Sequence, residues 1–441
     1  MENITVEANN KNFMNSDYQV FQRNDFAYRY QNLTSFLQQQ NGLQIQQAGG
    51  LGNPALVSIR GASANQTTLL INGISSNNNQ YGGYDLNSIP LNQIENIEIS
   101  RSGSSFELAD QAIGGTINII TREGTNNQNM NLNLGSEETF STSFSSSLNQ
   151  NLSIQIDHQQ SANNYDYPVP SPISGSNQHH QVQALENSEF HRTSIQLVQY
   201  FKGISARIRL NKKNKNIPDY FRNDKKNDAS LNQKDAVFSL QSNKKLEHKN
   251  KIDNFYSEHL WKVFHKNSNE HYKDRMGVIG LGQDNDKLTQ SRTEAQWHSK
   301  LLFKRWQFQT QLSAYEESFL SQYLDDDDSY LCTTPQGNCD QIAYKKSRKI
   351  LIGIRWSNKP HSQQISADLY QSHATNYNRK RSSVIDSEEK NQSFIGYNIK
   401  YSLFHDTSET HFSIKHSNRH PSLYQLFGDR GLLLGNNNPL S

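Results

Sequence analysis

The sequence predicts two parts: a mixed α+β domain at the N-terminus and, after residue 125, an antiparallel β-barrel that crosses a membrane. Three observations predict this fold class. Beyond residue 125 apolar and polar residues alternate in segment after segment. The connections between these segments alternate between short and long. No apolar run approaches the ~18 residues of a membrane-spanning helix, so a helical membrane protein is excluded.

The composition narrows the class further. Only 33% of the 441 residues are hydrophobic and the mean hydropathy is -0.85, values that alone would suit a disordered chain. The 20 Phe and 20 Tyr are, however, more aromatic residues than a disordered polar chain normally carries. The net charge of +2 gives no strong field, so charge does not indicate a nucleic-acid partner.

Up to residue 125 the sequence is typical of one compact mixed domain. We expect a short helix at residues 33–40, and Gly-rich turns separate short apolar runs that predict strands. The predicted strands are residues 55–60, 67–71, 94–100 and 115–122.

Beyond residue 125 the period of two predicts strands. Ile395, Tyr397 and Ile399, for example, alternate with small or polar residues. The segments number about thirteen, and each is nearer the ~9–11 residues that cross a bilayer than the ~5–6 of a soluble sandwich, which is the alternative. Tight turns are predicted near residues 149–151, 201–203, 304–305, 358–360 and 405–408, and long loops at 161–189, 211–234, 262–289, 322–345 and 376–390. An odd number of strands does not close a bacterial barrel, so we expect the chain to be incomplete.

Four motifs of the N-terminal part connect the sequence to a family. They are LVSIRG at residues 56–61, TLLINGI at 68–74, IENIEISR at 94–101 and AIGGTINIIT at 112–121. In this order and spacing they resemble the plug domain of TonB-dependent outer-membrane receptors, in the cobalamin-receptor-like branch. Residues 421–428, followed by Asn438, Pro439 and Leu440, resemble a segment that family members carry in a late extracellular loop.

The resemblance implies an α+β plug domain inside a transmembrane antiparallel β-barrel, 22-stranded in the family, of which about thirteen strands are present here. Residues 1–20 would be a TonB box and linker, residues 21–125 the plug, and residues 126–441 a partial barrel. The implied location is the bacterial outer membrane, among its lipids. The start of the chain lacks the features of a signal peptide, so either an export signal was removed or the protein stays inside the cell.

The resemblance also implies binding and transport. We expect energy-coupled uptake of a scarce nutrient too large for porins, with cobalamin or an iron-siderophore complex as ligand. Haem is a lesser option, based on His420 beside the late-loop segment. No catalytic motif stands out, so an enzyme is not expected. The alternative is a truncated, non-transporting barrel remnant that acts at most as a surface-binding protein.

Ile4, Thr5, Val6, Glu7 and Ala8 resemble a TonB box. This short β-prone segment precedes an Asn-rich linker, so its backbone could pair with an exposed edge of a partner by strand addition. In the family the partner is TonB, which transmits work from the inner membrane.

The resemblance assigns roles to plug residues as well. Arg60 and Arg101 each follow an apolar strand, and family plug arginines pair with barrel glutamates to lock the plug. Loops at the plug apex would face the ligand with hydrogen-bonding and stacking groups. The candidate ligand-binding residues are Asn53, Asn77, Asn78, Gln80, Tyr81 and Tyr84.

One polar segment of the predicted barrel combines cysteines with an acidic run. Cys332 and Cys339 are the two cysteines of the chain, which favours one local disulfide over a thiol catalyst or a metal cage. Nearby carboxylates could hold a structural Ca²⁺, although a solvated acidic run is the commoner arrangement. These are Asp325, Asp326, Asp327 and Asp328. No other cofactor is expected.

Overall fold

A computed structural model describes most of the chain. The described residues are 18–27, 29–47, 51–78, 83–101, 113–122, 128–169, 182–242, 248–250, 255–279, 283–325, 327–329, 340–358, 363–381, 385–404, 409–418, 420–429 and 433–434. Within these ranges no helix is both long enough and apolar enough to cross a membrane.

The N-terminal domain is a five-stranded sheet with short helices, as the sequence predicts. The sheet order is β1-β6-β7-β4-β5, with β4 parallel to β7, while β2 and β3 form a separate hairpin. The predicted helix and four strands are found within two residues of their expected bounds. The elements are β1 (Tyr18–Gln22), α1 (Arg23–Phe26), α2 (Leu33–Gln38), β2 (Leu43–Gln47), β3 (Ala55–Ile59), β4 (Thr67–Ile71), β5 (Ile74–Ser75), β6 (Ile94–Ser100) and β7 (Gly115–Thr121), with 3-10 turns at Ala64–Gln66, Leu86–Ser88 and Leu91–Gln93.

Apolar side chains from α2 and the sheet form the core of this domain. Asn32 begins α2, where its Oδ1 accepts a hydrogen bond from the backbone N–H of Ser35 at 2.8 Å. Phe36, in the middle of α2, contacts the rings of Phe21 and Phe26 at centroid distances of 5.1 and 5.5 Å. A side chain of this kind stabilises the fold by about 1.5–3 kcal/mol when it is buried. The domain therefore has an apolar core of its own.

The rest of the described chain is dominated by one antiparallel sheet. Thirteen of its fourteen strands follow the chain order, from β8 at one edge to β23 at the other, which confirms the predicted strand number; the fourteenth is the three-residue β16, which pairs with β17. The elements after β7 are β8 (Asn129–Leu134), β9 (Phe140–Asn149), β10 (Leu152–Ser161), β11 (Asp166–Pro168), β12 (Val182–Ala184), β13 (Phe190–Phe201), β14 (Ile204–Asn216), β15 (Ser230–Ser242), β16 (His248–Asn250), β17 (Phe255–Asp274), β18 (Asp284–Phe303), β19 (Trp306–Tyr323), β20 (Asp340–Ser357), β21 (Gln363–Arg381), β22 (Ile385–Phe404), β23 (Glu409–His416), α3 (Leu423–Phe427), β24 (Gly428–Asp429) and β25 (Leu433–Leu434). Of these, β11, β12, β16, β24 and β25 are short strands outside the thirteen.

The two faces of this sheet are inverted relative to a soluble protein. On β20, Ile350 and Ile352 expose 49% and 57% of their surface, whereas Lys349 and Leu351 expose 9% and 2%. The same alternation runs through the neighbouring strands, so the outer face is apolar and the inner face is largely polar. This confirms the predicted period of two, and an apolar outer face is what a lipid environment requires.

The strands are longer than the sequence predicts, and four of the predicted long loops are wrong in extent. β17 and β18 have 20 residues each, and only residues 275–283 separate them, against the predicted loop of 262–289. Between β21 and β22 only residues 382–384 remain. Apolar alternation marks only the part of a strand that lies in lipid. The polar continuations keep their inter-strand hydrogen bonds, which the apolar pattern does not reveal.

Candidate functional site

Asp85 is the centre of the contact between the N-terminal domain and the inner face of the large sheet. Its Oδ1 accepts hydrogen bonds from the backbone N–H groups of Ala55 and Asn87, each at 3.0 Å. Its Oδ2 lies 2.6 Å from Nζ of Lys213 on β14. The Lys213 side chain is 1% exposed and that of Asp85 14%. Removing one member of such a buried pair leaves the other charge uncompensated, so the two side chains depend on each other at this contact.

Further contacts surround this ion pair. Nη1 of Arg192, on β13, donates to the backbone carbonyl of Asn87. Nδ2 of Asn163 donates to the carbonyl of Leu51 at 2.9 Å. Gly52 adopts φ +88°, and a Cβ built there would lie 2.1 Å from the ring of Phe190. Only glycine fits at this close approach of the domain to the wall.

A second group of contacts lies along the same wall. Gln93 donates from Nε2 to Oδ2 of Asp157 at 2.7 Å and to Oγ of Ser194 at 3.0 Å. Nζ of Lys262, on β17, donates to the carbonyl of Asn72, a turn residue with φ 53°. The N-terminal domain therefore contacts the inner face from β9 to β18, mainly through polar groups.

The candidate ligand-binding residues Asn77 and Asn78 form hydrogen bonds with other groups of the protein. Asn77 accepts a hydrogen bond from the N–H of Leu69 at 2.8 Å and donates to the carbonyl of Thr67 at 2.9 Å. Asn78 accepts from Nε2 of Gln290, on β18, at 3.3 Å. Their role in ligand binding stays a prediction.

Tyr84 and Asn53 also lie beside the ion pair. Tyr84 packs against the core of the N-terminal domain, and burial raises its pKa to about 12, so its hydroxyl remains protonated. The carbonyl of Asn53 accepts from Nδ2 of Asn87 at 2.8 Å. Gln80 and Tyr81 lie outside the described residues. Direct ligand contact by these side chains stays a prediction as well.

The two candidate lock arginines are brought together. Nη1 of Arg60 donates to the carbonyl of Arg101 at 3.1 Å, and Nε of Arg101 donates to the carbonyl of Asn41 at 2.8 Å. These hydrogen bonds run within the N-terminal domain. Pairing of either arginine with a glutamate of the wall stays a prediction.

The acidic run folds into a local turn. Oδ1 of Asp325 accepts from the N–H groups of Asp327 and Ser329 at 3.0 and 2.7 Å. Asp328 pairs with Lys273 at 2.6 Å and with Arg275 at 3.0 Å. The hydrogen bond from Lys273 is the main reason why the pKa of Asp328 falls to about 2.

The metal and disulfide predictions therefore remain open. Within the described residues no three His, Cys, Asp or Glu side chains are grouped so that they could hold a metal ion. Asp326, Cys332 and Cys339 lie outside those residues, as do Ile4, Thr5, Val6, Glu7 and Ala8. The calcium site, the disulfide and the TonB box stay predictions.

The late-loop segment folds back onto the inner face of the sheet. Helix α3 packs Leu426 and Phe427 against Phe319 of β19. His420 is 4% exposed, and its Nε2 lies 3.0 Å from Oγ of Ser372. Nζ of Lys345 donates to the carbonyl of Pro421 at 2.8 Å. His420 is therefore buried beside β21, and its part in haem binding stays a prediction.

The residues that join the domain to the wall are not among those predicted from the sequence. The basic residues 212–215 fall in the predicted loop 211–234. In the structure they lie within β14, which extends to Asn216. Its alternation directs Lys213 and Lys215 inward, where they are 0% and 3% exposed, and leaves Lys212 exposed outside. Continuing the period of two past Leu210 would have revealed this division.

Comparison with known families identifies the N-terminal domain. Residues 11–116 match the TonB-dependent Receptor Plug Domain. The vitamin B12 transporter BtuB of Vibrio cholerae serotype O1 is 34% identical over 114 residues, which is 26% of this chain and 19% of that protein. BtuB of Vibrio vulnificus is 33% identical over 96 residues, 22% of this chain and 16% of that protein. The matched region thus spans about a fifth of these relatives.

Solved structures resemble both parts of the chain together. The FrpB iron transporter of Neisseria meningitidis aligns over 95% of this chain and 66% of its own, with a TM-score of 0.68 and 11% identity. The ferric yersiniabactin uptake receptor FyuA of Yersinia pestis aligns over 90% of this chain and 63% of its own, with a TM-score of 0.63 and 12% identity. At such low identity the likeness shows the shared fold, a plug domain with an antiparallel barrel wall.

Proposed function

We propose that the chain is a TonB-dependent receptor of the cobalamin-receptor-like branch, and that it serves energy-coupled uptake of a large, scarce nutrient across the bacterial outer membrane. Its partner would be TonB, and its lipid-facing surface the outer face of β8 to β23. The candidate ligands are cobalamin and a ferric siderophore, since the similar proteins are named as a vitamin B12 transporter and a ferric yersiniabactin uptake receptor. Haem is a lesser candidate.

One observation carries this proposal: a separately folded plug domain lies against the inner face of the barrel wall and contacts it through polar groups. Gln93, Arg192 and Lys262 each make hydrogen bonds across this boundary. Polar contacts exchange for contacts with water at a small net cost, about 0.5–1.5 kcal/mol for a typical hydrogen bond. A folded plug that is held by polar contacts could act as a gate, which opens when TonB pulls on the plug.

The pull would act on the TonB box at residues 4–8. Strand addition needs free backbone N–H groups, and proline removes one of them. We expect Val6→Pro to reduce uptake of a radiolabelled ligand by tenfold or more while surface binding of the same ligand stays unchanged. Asn10→Pro, in the linker outside the box, is the matched control and should transport normally.

Three other outcomes would change the interpretation. Loss of both binding and uptake in Val6→Pro would contradict the TonB-box assignment. Normal uptake in that variant would do the same. Ligand binding without energised uptake in the native protein would instead favour the surface-binding remnant.

A further inference from the structure

Two loops at one end of the large sheet are joined to each other. The first connects β10 to β13 and includes the hairpin of β11 and β12, and the second, residues 217–229, connects β14 to β15. Nδ2 of Asn223 donates to the carbonyl of Ala184 at 2.8 Å, and its Oδ1 accepts from the N–H of Glu186 at 2.8 Å. The two loops therefore hold each other in place.

Three tyrosine rings meet where these loops touch. Tyr167 contacts Tyr165 and Tyr220 at centroid distances of 6.4 and 6.3 Å, with interplanar angles of 68° and 75°. The Tyr167 hydroxyl donates to the carbonyl of Tyr220 at 3.3 Å. Burial, followed by a hydrogen bond with the Tyr220 side chain, raises the pKa of Tyr165 to about 12, so this phenol stays neutral. Rings that meet nearly at right angles can offer two π faces to one group in the corner between them.

Asp219 places a carboxylate beside this tyrosine cluster. Its Oδ1 accepts from the N–H groups of Phe221 and Arg222 at 2.9 and 3.2 Å. Its Oδ2 is buried and has no hydrogen-bond partner among the described residues, and the whole side chain is only 7% exposed. After burial, the charge of Asp219 is the next cause that raises the pKa of Tyr167, so the two groups are close. A buried carboxylate oxygen without a donor is costly, and a cationic N–H would stabilise it most strongly.

The surroundings of Asp219 favour a cation as the donor. In the described parts of the two loops, residues 162–169, 182–189 and 217–229, carboxylates outnumber cationic side chains. The carboxylates are Asp166, Glu186, Glu189, Asp219, Asp224 and Asp228, and the cations are Arg222, Lys225 and Lys226, with Lys215 at the end of β14 as a fourth. The turn before β9 adds Glu137 and Glu138. On the other side, Lys273 and Arg275 pair with Asp328.

We propose that the tyrosine cluster and Asp219 form a binding site for a small protonated amine. The ammonium N–H donates to Oδ2 of Asp219, and its positive charge lies within ~6 Å of the tyrosine ring centres, where cation–π attraction is effective. Calcium suits this site less well, because it takes about 6–8 oxygen ligands and the described residues offer no group of three acidic, His or Cys side chains. The inference does not depend on the proposed uptake function.

The first test separates charge, N–H donor and apolar contact. Binding of n-butylammonium, tetramethylammonium and 1-butanol to the full protein in detergent is measured at pH 7 by saturation-transfer NMR titration. We expect saturable binding of butylammonium, with a Kd about fivefold or more below that of tetramethylammonium, and no saturable binding of 1-butanol.

Four outcomes of this titration would overturn the proposal. Equal binding of 1-butanol would mean a merely apolar patch. Equal or tighter binding of tetramethylammonium would mean that Oδ2 of Asp219 receives no N–H. Displacement of butylammonium by about 1 mM Ca²⁺, within the range of extracellular calcium sites, would indicate a metal site. No saturable binding of butylammonium would mean that no amine site exists.

The second test assigns the binding to these residues. Asp219→Asn removes the charge but keeps an oxygen for the N–H groups of Phe221 and Arg222. We expect it to raise the Kd of butylammonium about fivefold or more, whereas Asp166→Asn, the matched change at an exposed carboxylate of the same hairpin, should leave the Kd within about twofold. Equal effects of the two variants would indicate general charge attraction and overturn the proposal.

Two variants of the central ring keep the test decisive if Asp219→Asn disturbs its turn, which faster exchange of the Phe221 N–H would reveal. Tyr167→Phe keeps a π face and should bind butylammonium within about twofold of the native protein. Tyr167→Leu removes that face and should raise the Kd about fivefold or more. Unchanged binding in Tyr167→Leu would overturn the proposal.

Discussion

The interior of the plug and its boundary with the barrel wall are held by different forces. In the interior, Phe36 and Ile117 lie among apolar side chains and are 2% and 0% exposed. At the boundary, Asp85 meets Lys213 as a buried ion pair, and Gln93 donates hydrogen bonds to the wall. Apolar burial is lost only when the domain unfolds, but polar contacts can exchange with water or with a ligand. The difference indicates a plug that can leave its contacts while it stays folded.

The largest expected effect breaks the interior. Phe36→Ala removes a buried ring that contacts Phe21 and Phe26, so we expect the free energy of unfolding of the plug to fall by about 3–5 kcal/mol. This loss of stability is measured by urea unfolding of the full protein in detergent, followed by hydrogen exchange at residues 33–38. Phe412→Ala, at an outward position on β23 that is 62% exposed, should leave the exchange at these residues unchanged. Similar losses in both variants would mean that the plug has no independent core.

A smaller effect separates the boundary from the interior. Lys213→Gln leaves Asp85 buried without its cation, so we expect the contact between plug and wall to weaken by about 2 kcal/mol. The N–H groups of Ala55 and Asn87, which donate to Asp85, should then exchange about 30-fold faster, while exchange at Ile117 stays the same. Asp85→Asn in the same protein should restore part of the protection. If Ile117 exchanges faster as well, the boundary and the interior unfold together.

The sequence predicts the architecture better than the site because the two depend on different ranges of interaction. The period of two, the Gly-rich turns and the motif at residues 94–101 are local, and they lead directly to β6 and to the thirteen strands of the wall. Asp85 and Lys213 are 128 positions apart and meet only because the plug lies against β14. No local pattern identifies such a pair.

Strand length and residue roles were harder to predict for a related reason. Residues 265–274 of β17 and their partners 284–293 on β18 are largely polar on both faces, so their pairing depends on backbone hydrogen bonds and not on an apolar pattern. Asn77 stands in a loop that resembles a ligand-facing one, yet both of its amide atoms bond to the backbone of β4. An amide group suits either role, and only its neighbours decide which bonds it makes.

The smallest expected effect contrasts an exposed ion pair with the buried one. Asp328 is 43% exposed beside Lys273 and Arg275, and its pKa is lowered to about 2, chiefly by the hydrogen bond from Lys273. Because the folded-state pKa lies below the ordinary value of 3.8, these contacts should be fully present above about pH 4 and lost as the pH falls towards 2. Hydrogen exchange at Asp325 and Ser329, measured from pH 5 to 2, should show a loss of protection in this window. Asp328→Asn should already lack that pH dependence, while Asp327→Asn should retain it. Because exposed ion pairs are screened by solvent, added salt should also reduce the pH-dependent loss of protection. An unchanged profile in Asp328→Asn would mean that another carboxylate controls the turn.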